Sequence, residues 1–247
     1  MTGIGSEFME RTKYRHLGPS AQQRGEPQPP LGVLFRDGAI TELPAVESVA
    51  GDGVDLRRAI EARRSVRQYS EAPLTLDEAT LLLWLTQGVR ERLGERATLR
   101  TVPSAGARHP FETVILANRV DGVEPGLHQY DALEHRLVDL GAPADVAEQL
   151  MTACLGQAMI LSSAATFVWV ADPIRTTWRY GERGHRYIHL DAGHVCQNLY
   201  LAAGSIGAGV CAIGAFDDDE VNRVIGVDGE TRFAVYVATV GKLVSED

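Results

Sequence analysis

The stretch from His185 to Asp219 constrains the fold more than any other part of the chain. In its first half apolar residues recur every three or four positions, which predicts a helix with one continuous buried face. These residues are Ile188, Ala192, Val195, Leu199, Ala203 and Ile206. The glycines from Gly204 to Gly209 allow a tight reversal, and Val210–Ile213 has the composition of a strand. On this stretch alone, a core helix followed by a core strand is the simpler interpretation. The alternative is that bare backbone around Gly214 presents amide groups to a planar ligand.

Composition restricts the class of protein. The chain has 247 residues, 45% of them hydrophobic, which is enough for one large domain or two small ones. No apolar run approaches the roughly 20 residues that a membrane-spanning helix needs, and the N-terminus lacks the features of a signal peptide. The net charge is −9 and the basic residues are dispersed, so we expect neither a nucleic-acid nor a membrane partner.

The cysteines and histidines do not indicate a metal site. Cys154, Cys196 and Cys211 lie in apolar segments and form no CxxC pair, which is typical of reduced core thiols in a cytoplasmic protein. The histidines between His185 and His194 have no matching cluster of cysteines or acids, so we expect no bound zinc.

The chain divides into three parts. Residues 1–8 read like an expression-tag remnant ahead of a natural start at Met9. Residues 9–54, rich in Pro, Gly, Gln and charge, form an N-terminal arm over the domain or over a partner subunit, with a possible small hairpin at Arg36–Ala39. Residues 55–247 contain no dividing linker and form one domain.

Local patterns predict the elements of that domain. Asp55 is a candidate N-cap for a helix with Leu56, Ala59 and Ile60 on its inner face. Thr75 and Glu78 form a capping box for a helix to Val89. A charged loop follows at 90–100, a long helix is predicted from Pro143 to Leu161, and a loop or short helix at 172–186. Strands are predicted at 111–117, 127–130, 135–140, 166–171 and 233–240. The fold class is therefore α+β, a mixed, mainly antiparallel sheet flanked by helices.

Two segments could bind a ligand. Arg63, Arg64 and Arg67 surround Ser65, and guanidinium forks with a hydroxyl can clamp a phosphate. By itself this cluster is more typical of a solvated helix end, where cations suit the helix dipole. The segment from Pro103 to Pro110 has small residues between two prolines, so its backbone can approach a flat ligand, or it is an ordinary loop.

An ordered set of motifs covering about residues 55–242 resembles the nitroreductase superfamily, with the SagB-type dehydrogenase branch and its azoline (thiazole/oxazole) oxidases as the nearest match. The motifs are Arg63-Arg64-Ser65-Val66-Arg67, Pro103-Ser104-Ala105-Gly106, the run from Arg179 to Tyr187, Asp191-Ala192-Gly193-His194 and Gly214-Ala215-Phe216-Asp217. The resemblance implies a nitroreductase-like fold, noncovalent FMN, and a homodimer with FMN at the subunit interface.

The resemblance also implies site residues. Arg63, Arg64, Ser65 and Arg67 would hold the FMN phosphate and ribityl chain. Pro103, Ser104, Ala105 and Gly106 would line the isoalloxazine, Ile213 and Gly214 would lie at the flavin edge with the Gly214 amide towards N5, and Lys242 would add a phosphate contact.

The sequence departs from the branch at two places. Arg179-Tyr180 stands where azoline oxidases often have Lys-Tyr, the pair implicated in removing the ring proton. Arginine hardly deprotonates, so Arg179 is a poor base that could still stabilise an anion, while Tyr180 is a candidate acid or base or a packing residue. Arg108-His109 replaces the usual Leu-Tyr and makes the pocket more polar.

Three functions are compatible with these residues. The first is an FMN-dependent dehydrogenase or oxidase acting on a substrate such as a peptide azoline. The second is a nitro or quinone reductase that takes hydride from NAD(P)H. The third is a non-catalytic flavin-binding subunit of a modification complex, because Arg179 replaces the lysine.

Overall fold

The computed structural model describes residues 3–49 and 53–244, so residues 1–2 of the predicted remnant, 50–52 of the arm and 245–247 of the domain lie outside it. Within the described ranges the chain forms eight α-helices and nine β-strands. The helices are α1 (Ile4–Arg11), α2 (Leu56–Ala62), α3 (Leu76–Gln87), α4 (Val146–Ala153), α5 (Met159–Ser162), α6 (Ile174–Tyr180), α7 (Gly184–Ser205) and α8 (Asp218–Ile225). The strands are β1 (Ile40–Glu42), β2 (Val89–Arg92), β3 (Thr98–Arg100), β4 (Phe111–Ala117), β5 (Gly126–Asp131), β6 (Arg136–Asp139), β7 (Ala165–Ala171), β8 (Ala208–Ile213) and β9 (Phe233–Lys242).

Seven strands form one sheet in the order β1-β6-β5-β4-β7-β9-β8, and every neighbouring pair is antiparallel. Strands β4 and β7 lie at the centre of the sheet. Each has seven residues, all of them buried, as expected for apolar, β-branched runs covered on both faces. Strands β2 and β3 form a separate hairpin. The predicted α+β class with a mainly antiparallel sheet is confirmed.

Helices cover both faces of the sheet. On one face α3 and α7 pack together, with Leu82, Leu83 and Leu199 fully buried. On the other face α4, α5 and α8 bury Leu150 and Ile225. The buried face predicted for the long helix is confirmed in α7, because Ile188, Ala192, Val195, Leu199 and Ala203 are all buried. This helix therefore forms the centre of one core layer.

Both predicted helix starts are confirmed. The Asp55 carboxylate accepts from the Arg58 amide at 2.8 Å, and Thr75 with Glu78 forms the capping box of α3. The prediction that Leu56 and Ile60 lie on the inner face of α2 is wrong for the single chain, because these side chains are 65% and 53% exposed. Helix α2 has only two turns and lies on the surface of α7, so its large apolar side chains point outward.

Three other local predictions need correction. Residues 90–100 are mostly the β2–β3 hairpin rather than a loop, with Gly94 at φ +59° in its turn. The helix predicted from Pro143 to Leu161 is broken, because Leu155 and Gly156 adopt left-handed conformations between α4 and α5. No hairpin forms at Arg36–Ala39, since β1 pairs with β6 instead.

The N-terminal arm packs against its own domain. The Trp178 indole donates to the Glu26 carbonyl at 3.0 Å, and the Gln22 amide donates to the Trp178 carbonyl at 2.8 Å. Further along, the Val33 amide donates to Glu112 at 2.9 Å. Helix α1 runs across the predicted boundary at residue 8.

No helix in the described ranges is long and apolar enough to cross a bilayer.

Candidate active site

The arginine cluster lies along the free edge of the large sheet. The Val66 amide donates to the Val210 carbonyl at 2.8 Å, and Ser65 forms an isolated parallel bridge with Val210. Because β8 is the last strand of the sheet, its edge has backbone groups available for this pairing. The residues that follow α2 are therefore held beside the strand that leads to Gly214.

Tyr200 of α7 fixes this segment from the other side. The hydroxyl groups of Tyr200 and Ser65 share a hydrogen bond of 3.0 Å, and the Ala212 amide donates to the Tyr200 hydroxyl at 3.0 Å. The Arg63 guanidinium lies over the Tyr200 ring, 5.2 Å from its centroid, a cation–π geometry. Sequence reasoning missed Tyr200, because one tyrosine in an otherwise predicted core helix carries no signal of its own.

The cluster presents positive charge that the described residues do not neutralise. Arg63, Arg64 and Arg67 are exposed, and within residues 3–49 and 53–244 none of them makes an ion pair or donates a hydrogen bond. A cavity of about 480 Å³ lies between Arg63, Arg64 and Tyr200. A more open one of about 720 Å³ is lined by Arg64, Ser65 and Arg67. This donor set fits an anionic phosphate.

The residues predicted at the flavin edge and the predicted phosphate contact Lys242 differ in their surroundings. Gly214 is exposed at the end of β8, and a methyl group built on it would meet no atom within 4 Å, so a flat ligand can approach its backbone. The preceding Ile213 is buried. Lys242 forms an ion pair with Glu78 and donates to the Ile206 carbonyl at 2.8 Å. Its charge is thus satisfied inside the chain, although the next residue, Leu243, lines both cavities.

The predicted flavin loop, Pro103–Gly106, is clamped by Asp191 of α7. The Ser104 hydroxyl donates to Asp191 Oδ2 at 2.6 Å, and the Ala105 amide donates to both carboxylate oxygens at 3.3 Å. Ser104 Oγ also accepts from the His109 amide at 2.9 Å. Asp191 is only 3% exposed, and burial raises its pKa. Sequence reasoning placed Asp191 in a motif but assigned it no role.

The backbone of this loop is unusual. Gly106, Ala107 and His109 have φ values of +59°, +54° and +44°, although residues other than glycine rarely adopt the left-handed region. Such outliers occur preferentially at functional sites. Burial and the nearby Arg100 lower the pKa of His109 to about 3, so its imidazole is neutral.

The structure brings the predicted catalytic pair to this loop. A methyl group on Gly106 would overlap the Tyr180 hydroxyl and would lie 3.1 Å from Cδ and Nε of Arg179. The Tyr180 ring packs edge-on against Tyr187, with centroids 4.9 Å apart. The end of α6 therefore packs directly against Gly106, and Tyr180 lies beside the loop that the resemblance assigns to the flavin ring.

The two clusters lie on opposite flanks of α7. Asp191, which holds the loop, and Tyr200, which holds the arginine segment, are nine residues apart. At about 100° and 1.5 Å per residue this separation is two and a half turns, or about 13.5 Å along the axis. The helix itself stands between them, so one chain presents the two halves of the predicted site to different sides.

The buried thiols agree with the sequence interpretation. Cys154, Cys196 and Cys211 are free and buried, and burial raises the pKa of Cys154 and of Cys196 to about 12. Thiols that hard to ionise are unreactive. Among the residues that the structure describes, no group of three His, Cys, Asp or Glu side chains could hold a metal ion.

Comparison with known proteins identifies relatives of this chain. MJ1384 of Methanocaldococcus jannaschii, assigned as a nitroreductase, is 37% identical over 186 residues, which cover 75% of this chain and 89% of the relative. The trifolitoxin-processing protein TfxB of Rhizobium leguminosarum bv. trifolii is 29% identical over 65% of this chain but only 46% of its own length.

Two solved structures share the fold. A protein of Anabaena variabilis, assigned as a nitroreductase, has a TM-score of 0.65 and 32% identity over 77% of this chain and 38% of its own. A chain of the Escherichia coli microcin synthetase McbBCD complex with truncated pro-MccB17 has a TM-score of 0.62 over 97% of this chain and 87% of its own, at 18% identity. This chain thus spans less than half of TfxB and of the Anabaena protein.

The model of the nitroreductase family matches residues 60–242, a range that includes every site residue predicted above. The chain therefore belongs to the nitroreductase family, whose members are flavin oxidoreductases.

Proposed function

We propose that this chain is a cytoplasmic FMN-dependent oxidoreductase of the SagB type, a homodimer that oxidises a substrate such as a peptide azoline. The observation that carries the proposal is the charge at the edge of β8. Three guanidiniums without a carboxylate partner among the described residues line two cavities there, and a phosphate has the charge and the acceptor oxygens to complete them.

The position of the two clusters supports a dimer. A flavin whose phosphate binds Arg63, Ser65 and Arg67 cannot reach Gly106 of the same chain around α7, because the two clusters lie on opposite flanks of that helix. The loop and Tyr180 of a second copy would supply the missing half. The outward-facing Leu56 and Ile60 of α2 offer apolar surface for that contact.

Each group then has a distinct role. FMN supplies the two-electron chemistry when it is bound. Arg63, Arg64, Ser65 and Arg67 bind its phosphate and ribityl chain, and the open backbone at Gly214 approaches the ring edge. Tyr180 holds or releases a proton beside Gly106, and Arg179 stabilises negative charge on the substrate.

Two comparisons support the modification branch. TfxB is a trifolitoxin-processing protein, and the McbBCD chain matches almost the full length of this one, including the arm. Both names concern peptide maturation, which agrees with an azoline-bearing peptide as the substrate.

The second candidate is an NAD(P)H-dependent nitro or quinone reductase. Arg179 favours it, because reduction by hydride transfer requires no lysine to remove a ring proton. The third candidate is a flavin-binding subunit without activity, which the replacement of the lysine by Arg179 also allows.

Flavin binding and turnover separate these functions. We expect yellow protein, and about tenfold weaker FMN binding in Arg63→Gln and Arg67→Gln. Arg57→Gln is the matched control, because Arg57 lies on α2 and, among the described residues, pairs only with Glu61. A chain that takes up no FMN contradicts the proposal. Rapid anaerobic bleaching by NAD(P)H identifies the reductase, azole formation from an azoline peptide identifies the oxidase, and bound FMN with neither activity identifies the subunit.

A further inference from the structure

A second cluster of positive charge lies beside the flavin loop, separate from the phosphate-side arginines. Arg108 is only 6% exposed, and its guanidinium donates to the Gly106 carbonyl at 3.1 Å and to the Arg96 carbonyl at 2.8 Å. The same guanidinium lies 5.7 Å from the centroid of the Trp178 ring. Both hydrogen-bond acceptors are neutral, so this buried charge has no counterion among them.

Arg179 approaches the same glycine from α6. Its Cδ and Nε lie close enough to Gly106 that an added methyl group would be 3.1 Å away. Arg179 is exposed, and within the described part of the chain it makes neither an ion pair nor a hydrogen bond. Burial, and after it the positive charge of Arg179, lower the pKa of Arg108. The chain therefore holds two like charges together at Gly106.

No nearby acid offsets these charges. Both oxygens of Asp191 accept hydrogen bonds from Ser104 and Ala105 below the loop. Of the described carboxylates, none lies within 4.0 Å of the Arg108 or Arg179 guanidinium. Two uncompensated guanidiniums, one buried and one free to move, form a site that an incoming anion would stabilise.

We propose that Arg179 and Arg108 form a substrate carboxylate site beside Gly106, so that the preferred substrates carry an acidic group near the atom that reacts. Arg179 is the direct ligand, with its planar fork free for a bidentate contact. Arg108 supplies a fixed background charge. The neighbouring rings of Tyr180 and Tyr187, in edge contact at 4.9 Å, favour an acid that carries a flat ring.

This inference rests on the proposed flavin site for the orientation of the substrate, but anion binding can be measured independently. Benzoate is the probe and benzamide its neutral control. We expect benzoate to raise the melting temperature and to perturb the flavin absorbance. We expect the affinity for benzamide to be lower by about tenfold or more.

Variants separate the two arginine clusters. Arg179→Gln is expected to fold normally, because the side chain is exposed and unpaired in the described chain, and to weaken benzoate binding about tenfold with FMN affinity within about twofold. Arg63→Gln should weaken FMN binding instead and leave the benzoate-induced melting shift. Arg223→Gln, on α8 beneath the other face of the sheet, is the control.

Several outcomes overturn the inference. One is equal affinity for benzoate and benzamide, and another is unchanged benzoate affinity in Arg179→Gln. A third is that inorganic phosphate competes for the site as strongly as benzoate does, which would indicate a phosphate site. Failure to bind FMN while benzoate still stabilises the protein would reject the proposed function and leave the carboxylate site in place.

Discussion

Ser104 Oγ donates to Asp191 Oδ2 at 2.6 Å and thereby ties the Pro103–Gly106 loop to the buried helix α7. The carboxylate also accepts from the Ala105 amide. Because one buried acid holds two donors of the loop, we expect the loop conformation to depend on that acid. The consequence is testable in the stability and in the flavin affinity.

Asp191→Asn should destabilise the fold by about 1–3 kcal/mol, because an amide NH₂ would face donors that now share a carboxylate. FMN affinity should fall with it, since the loop loses its anchor. Urea denaturation and flavin titration measure the two effects. In a double-mutant cycle with Ser104→Ala the losses should not add; strict additivity would show that the two residues act independently.

Gly106→Ala should destabilise the protein more than Gly141→Ala. Both glycines have nearly the same φ, +59° and +61°, but a methyl group meets Tyr180 and Arg179 at Gly106 and nothing within 4 Å at Gly141. The backbone cost of about 1–3 kcal/mol is common to both, so the difference between the two unfolding free energies isolates the contact. Equal losses would mean that Tyr180 does not touch the loop.

His109 should make the protein acid-sensitive. Its pKa is lowered from 6.5 to about 3 in the folded chain, so the unfolded state binds the proton more readily. The stabilisation is complete above pH 6.5 and is lost as the pH falls towards 3, with a slope of up to about 1.4 kcal/mol per pH unit. His109→Gln should remove that slope from the pH dependence of unfolding, measured against wild type. An unchanged slope would place the acid sensitivity elsewhere.

Tyr200→Phe should weaken FMN binding although the variant removes no positive charge. The variant loses the bond to Ser65 and leaves the Ala212 amide without its acceptor, a cost of about 1–3 kcal/mol. The measurements are the melting temperature and FMN affinity. Tyr14→Phe is the control, because the Tyr14 hydroxyl, on the exposed arm, shares its hydrogen bond with Tyr187, away from the arginine segment. If both variants bind FMN as wild type does, Tyr200 does not position the arginine segment.

Glu112→Gln should be severely destabilising. Glu112 pairs with Arg175, and their side chains are 6% and 2% exposed, while the same carboxylate holds the arm through Val33. The variant removes one of two carboxylates around the buried Arg175 and leaves only Asp172, at 3.5 Å, and breaking a buried ion pair costs up to about 3–5 kcal/mol. The surface pair Arg57–Glu61 is the comparison, and Glu61→Gln should cost less than about 1 kcal/mol in urea denaturation. Similar losses of unfolding free energy in the two variants would show that the buried ion pair contributes no more to stability than the surface pair.

Several elements could be predicted from short-range patterns of residues alone. The period of apolar residues identified α7 and its buried face, the capping box identified the start of α3, and runs such as Phe111–Ala117 identified the central strands. These signals are local because helix and strand periods and caps depend on residues a few positions apart. The motif order also located the loop, the arginine cluster and the Arg179-Tyr180 pair.

The folded structure was needed to show how those parts meet. It placed Gly106 against Tyr180, fixed Asp191 under the loop and Tyr200 under the arginine segment, and set these on opposite flanks of α7. It also engaged Lys242 with Glu78 and left the large side chains of α2 exposed. Each of these contacts joins residues far apart in the chain, and packing, not local propensity, selects such partners.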